Sequence, residues 1–84
     1  MKKLVEETNE GFEKLIGERV MLICCRYIYA GKLIGVNDDC VLLTDCGIVY
    51  ETGAWDKKDW TDYQKLPSDT YVMKGSIESY GVSK

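Results

Sequence analysis

The run YIYAGKLIGV, residues 27–36, constrains this chain more than any other stretch. Its residues read as a β-strand, yet Gly31 and Gly35 stand inside it. A glycine within a strand marks a sharp bend or the close approach of another backbone. Two of them let one strand curl around a small barrel. The neighbouring stretches fit such a strand. Residues 20–25, VMLICC, are apolar at every position, as expected for a strand covered on both faces. Asn37-Asp38-Asp39 is a turn. Residues 40–44 form a third strand, which residues 48–50 extend beyond a kink at Cys46-Gly47.

Residues 51–70, ETGAWDKKDWTDYQKLPSDT, read as a long irregular loop holding Trp55, Trp60, Tyr63 and the sole proline, Pro67. Strands resume at residues 71–74 and 76–82. At the other end, residues 2–16 read as an amphipathic helix. Leu4, Val5, Phe12, Leu15 and Ile16 share one face, Glu6, Glu7, Glu10 and Glu13 occupy the rest, and Gly17 stops it. The expected fold is therefore mainly β: an N-terminal α-helix followed by a strongly bent, five-stranded antiparallel barrel. An SH3-like or an OB-type barrel fits the strand count, and the leading helix favours the SH3-like one.

Eighty-four residues make a single domain, residues 1–84, and a small one. The composition is that of a soluble globular chain, with no apolar run long enough to span a bilayer and no signal-peptide core. The expected setting is cytoplasmic, without membrane contact. Fourteen acidic residues against eleven basic ones leave a net charge of −3, which disfavours non-specific nucleic-acid binding. Cys24, Cys25, Cys40 and Cys46 show no Cys-x-x-Cys spacing and the chain has no histidine, so neither a metal nor another cofactor is expected. The cysteines read as small reduced hydrophobes. Without histidine, a glycine-rich phosphate loop or an activated cysteine, no catalytic residue is expected and the chain does not read as an enzyme.

Three stretches give the pattern its resemblance to the Sm-like family, in particular its bacterial Hfq-type branch. The approach through Glu18-Arg19-Val20 looks like entry to the family's first strand. YAGKLIGVNDDCVLL resembles the first Sm motif. YVMKGSIES resembles the shorter second motif, whose bacterial form is Tyr-Lys-His-Ala-Ile-Ser-Thr. Together they cover about half of the chain. The resemblance implies a helix on a bent five-stranded barrel, with copies joined into rings of six or seven by pairing the last two strands of neighbours. Such pairing would also cover strand edges that otherwise invite aggregation. It implies that Lys74-Gly75 is the tight connection at the rim of a central pore, with Lys74 pointing to a single-stranded RNA backbone or a uridine-rich end. Nucleotide contact in the family also uses the turn that falls here on Asn37, Asp38 and Asp39. Lys74 keeps the family chemistry. Asp39 stands in place of a stacking aromatic, Asp38 in place of a neutral polar residue, and Gly75 in place of a histidine.

Loop 51–70 points elsewhere. Glu51, Asp56, Asp59, Asp62 and Asp69 outnumber Lys57, Lys58 and Lys65, so its aromatics sit in a negative segment. Trp55, Trp60 and Tyr63 read as a local apolar cluster or, if exposed, as a surface for another protein. Two functions follow: a ring-forming Sm-like protein binding RNA at its pore, or an oligomeric protein-interaction scaffold that binds no nucleic acid.

Overall fold

The computed structural model describes residues 10–84. Six strands form one antiparallel sheet: β1 (Arg19–Cys24), β2 (Ile28–Val36), β3 (Cys40–Glu51), β4 (Asp62–Lys65), β5 (Thr70–Met73) and β6 (Ile77–Val82). The order is β4-β3-β2-β1-β6, with β5 also paired to β3. The mainly β, antiparallel class is as expected. The sheet is open, however: no ladder joins β4 or β5 at one end to β6 at the other.

The expected helix over residues 2–16 falls largely outside the described residues. Within them, α-helix is confined to α1 (Glu10–Glu13), continued by turns to Gly17. Phe12 of α1 stacks on Tyr80 of β6, ring centroids 4.0 Å apart. Gly17 and Glu18 are then tied to β2 by paired backbone bonds with Leu33 (2.8 and 3.0 Å).

Strand β2 bends as its glycines require. Its register with β3 slips between Ala30 and Lys32 and again between Leu33 and Gly35. A Cβ on Gly31 would land on the Cβ of Cys46 and 2.8 Å from its Cα, so this glycine is where β3 crosses closest. The kink in β3 sits at Asp45, whose φ of 45° is left-handed. Arg19 of β1 donates to both the carboxylate and the carbonyl of Asp45 (3.1 Å each), and Lys65 of β4 lies 2.9 Å from the same carboxylate. Three strands are thus pinned at one corner.

The kink lets β3 serve two partners on one edge. Its first half, Cys40 to Leu43, pairs with β5, and its second half, from Gly47, pairs with β4. Strand β4 corrects the reading of residues 51–70 as wholly irregular. Asp62–Lys65 is mostly polar and exposed, so no apolar alternation announced it; backbone pairing with β3, the Tyr63 ring on Gly47 and the Lys65–Asp45 ion pair hold it. Five expected strands become six. Residues 74–76, read from the sequence as the end of one strand, a glycine connection and the start of the next strand, form a single 3-10 turn.

The core is one cluster: Val20 and Leu22, Leu33, Val41 and Leu43, Cys46 and Val72. Each of the larger aliphatics contributes about 1.5–3 kcal/mol by burial. Strand β1 is less two-sided than its composition suggests, since Val20 and Leu22 are fully buried while Met21 and Ile23 are half-buried. All four cysteines are free; Cys46 is buried, but Cys25 is exposed rather than an interior hydrophobe. No helix among the described residues is long and apolar enough to cross a membrane.

Candidate functional site

The two stretches that resemble the Sm motifs meet at one end of the sheet. Asn37 closes the β2–β3 hairpin: its side-chain oxygen accepts the backbone N–H groups of Asp39 and Cys40, both at 2.8 Å. Asn37 also donates its own N–H to the carbonyl of Cys40 (3.0 Å). Where β5 runs out, paired through Met73 to Cys40, the N–H of Lys74 donates to the carbonyl of Asp39 (2.9 Å). Asn37, Asp38, Asp39, Lys74 and Gly75 therefore form one cluster, with the two carboxylates and Gly75 exposed. The side chain of Lys74 is half-buried and its ammonium lies 5.5 Å from the ring centroid of Phe12, over the Phe12–Tyr80 stack.

A residue that sequence reasoning did not single out belongs to the same end. A shallow cleft of about 170 Å³ beside the turn is lined by Gly35, Val36, Asn37, Cys40, Leu42 and Tyr71. Tyr71 is 67% exposed, the most open large apolar residue of the described chain. Its signal was the alternation in Thr70–Met73: with Val72 buried, Tyr71 and Met73 must face outward. An exposed aromatic ring therefore stands beside the turn that carries Asp38 and Asp39.

A larger cleft, about 340 Å³, lies between the β1–β2 connection and β5. Cys24 to Tyr27, together with Tyr29, form one wall; Tyr71 to Met73 and Ser76 form the other. Burial, followed by the neighbouring Cys25 and Glu78, pushes the Cys24 thiol above its ordinary range, so it stays protonated and unreactive near neutrality. Among the described residues, no three cysteine or carboxylate side chains gather in a group that could hold a metal.

The expected aromatic cluster of loop 51–70 divides in two. Trp55 and Trp60 meet edge to face at 5.8 Å, and Lys84 lies over both rings. Tyr63 instead belongs to β4, where its ring covers Gly47 of β3 and is half-buried. Burial raises its phenol above the ordinary value, against the pull of nearby Arg19. Trp55 remains 54% exposed.

No family model matches the chain, and no curated protein matches it.

Proposed function

We propose that this chain is the subunit of a ring-forming Sm-like protein that binds single-stranded RNA. In this reading the open sheet is an SH3-like barrel preceded by an N-terminal helix. Its β5 edge pairs with the β6 edge of the next copy, and six or seven copies close a ring. The cluster of Asn37, Asp38, Asp39, Lys74 and Gly75 then borders a shared pore. Tyr71 adds a stacking face. No catalysis or cofactor is involved, and a cytoplasmic setting suits four unpaired cysteines.

One observation carries the reading: the Lys74–Asp39 backbone bond, which unites both motif-like stretches beside the unpaired edge of β5. Exposed Tyr71 and Met73 on β5 and exposed Tyr80 and Val82 on β6 support the pairing, because apolar edges left bare would aggregate. Repeating a lysine around a ring concentrates positive charge, although two carboxylates per copy oppose it.

The test is oligo-uridine binding at about 50 mM salt, where few phosphate contacts still give measurable affinity. Lys74→Ala should weaken binding and flatten its salt dependence, and the Asp38→Asn, Asp39→Asn double variant should strengthen it. Native mass with the 260/280 nm absorbance ratio reads assembly alongside. Absence of binding at that salt removes the RNA half of the proposal, and a stable monomer removes the ring.

Exposed Trp55 in an acidic loop favours a second reading, a scaffold that presents residues 51–70 to another protein. Co-purification of nuclease-sensitive nucleic acid with the wild-type chain counts against it.

A further inference from the structure

The loop between β3 and β4 holds a cation. Lys84 Nζ lies 4.7 Å from the ring centroid of Trp60 and 5.6 Å from that of Trp55. The rings stand at 86° to each other, forming two walls. The same ammonium donates to the carbonyl oxygens of Thr52 (2.7 Å) and Ala54 (2.9 Å). Ring faces and carbonyl oxygens all present negative charge, and both kinds of contact strengthen when the cation is screened from water. The surroundings are preformed. Gly53 has a φ of 68° and packs against the Thr61 hydroxyl, so a side chain has no room there. The N–H of Lys57 donates to the Ala54 carbonyl (3.1 Å) and orients it. Glu51, Asp56, Asp59 and Asp62 add a negative field along the same segment.

We propose that residues 52–60 form a binding site for a primary alkylammonium group, occupied in this chain by Lys84. A lysine side chain of a protein partner takes the site when Lys84 leaves. The proposal rests on the reading of this loop as a partner surface and is independent of the ring and of RNA. It also sets a selectivity. Two carbonyls need two N–H donors, which a primary ammonium supplies. A quaternary ammonium has none: it would leave the Thr52 carbonyl unpaired and the Ala54 carbonyl with the Lys57 N–H alone.

Trp55 and Trp60 are the only tryptophans in the chain, so intrinsic tryptophan fluorescence reports this site alone. The full-length wild type and Lys84→Ala would each be titrated with Nα-acetyl-lysine amide, spermidine and tetramethylammonium at constant ionic strength. In wild type the tethered ammonium competes at an effective concentration on the order of millimolar. Lys84→Ala should therefore respond saturably to the lysine probe at lower concentrations, by ~10-fold for an intrinsic dissociation constant of about 0.1 mM and by ~2-fold for one of about 1 mM. Tetramethylammonium should produce no saturable change. A response to spermidine stronger than to the lysine probe would assign the site to free polyamines and overturn the partner assignment. No saturable response in a variant whose circular dichroism is native, or an equal response to tetramethylammonium, overturns the site itself. A measurement that needs no variant is the proton spectrum of wild type: ring currents should shift the Lys84 ε-methylene, and excess lysine probe should reverse that shift. Persistence of the shift at saturating probe overturns exchange. If the probe binds but no protein partner competes for the site, the alkylammonium site stands, and the partner assignment fails together with the scaffold reading.

Discussion

Replacing Gly31 with alanine tests the packing on which this fold turns. The added methyl has no free volume: it meets the Cβ of Cys46, lies 2.8 Å from the Cys46 Cα and 3.2 Å from the Thr44 carbonyl oxygen. Two of these three atoms are backbone, so a side-chain rotation cannot relieve the overlap, and β2 and β3 must separate at their bend. Overpacking of this kind costs about 1–3 kcal/mol. A chain of 84 residues has roughly 4–13 kcal/mol of stability in total, at the usual margin per residue. At about 4–8 °C per kcal/mol for a domain of this size, the melting temperature should fall by at least ~4 °C and by as much as ~24 °C. Gly35→Ala is the internal control. Its nearest neighbours would be Leu42 Cβ at 3.5 Å and Cδ2 at 3.9 Å, ordinary contact distances. It should be neutral, or stabilising by up to the ~0.5–1 kcal/mol that glycine costs inside a strand. Urea unfolding of the three proteins, compared by midpoint at constant slope, reads the difference. Equal effects from both substitutions would refute the assignment of the close crossing to Gly31.

Two further outcomes are expected. Lys65, then Arg19, holds the Asp45 carboxyl below its ordinary range, while Asp45 raises Lys65. The Asp45 contribution is present above the ordinary carboxylate value of about 4 and is lost as pH falls through the lowered value. The Lys65 contribution is present below about 10 and is lost as pH rises through the raised value. Asp45→Asn keeps a residue that tolerates the left-handed backbone. Its melting temperature should trail wild type across the neutral window and converge with it in acid and in 1 M salt; parallel profiles would refute the charge assignment. Tyr71→Lys with Met73→Lys places two charges on the β5 edge at positions exposed in the single chain. On the proposed ring, folding should persist while the native mass drops to one subunit, and an assembly unchanged from wild type would exclude β5 as the joining edge.

Much of the architecture was legible in local chemistry. Asn37 must order a hairpin turn and Gly31 in an apolar run implies a bend, because each constraint acts within a few residues of its cause. Buried Val20 and Leu22 likewise follow from a short apolar strand. Other features had no local signature. Strand β4 is polar, and its place depends on the second half of β3 being free after the kink at Asp45. Gly31 and Gly35 look alike in sequence, and only the crossing of β3 separates them. The ammonium of Lys84 reaches the carbonyls of Thr52 and Ala54 across 32 and 30 residues. The Lys74–Asp39 bond, too, exists only because β5 lies alongside β3. Propensity and turn chemistry act along the chain, so the amino-acid order determines where strands begin, bend and turn. Which edges remain open and which distant side chains share a site depends on contacts that form only when the whole sheet assembles.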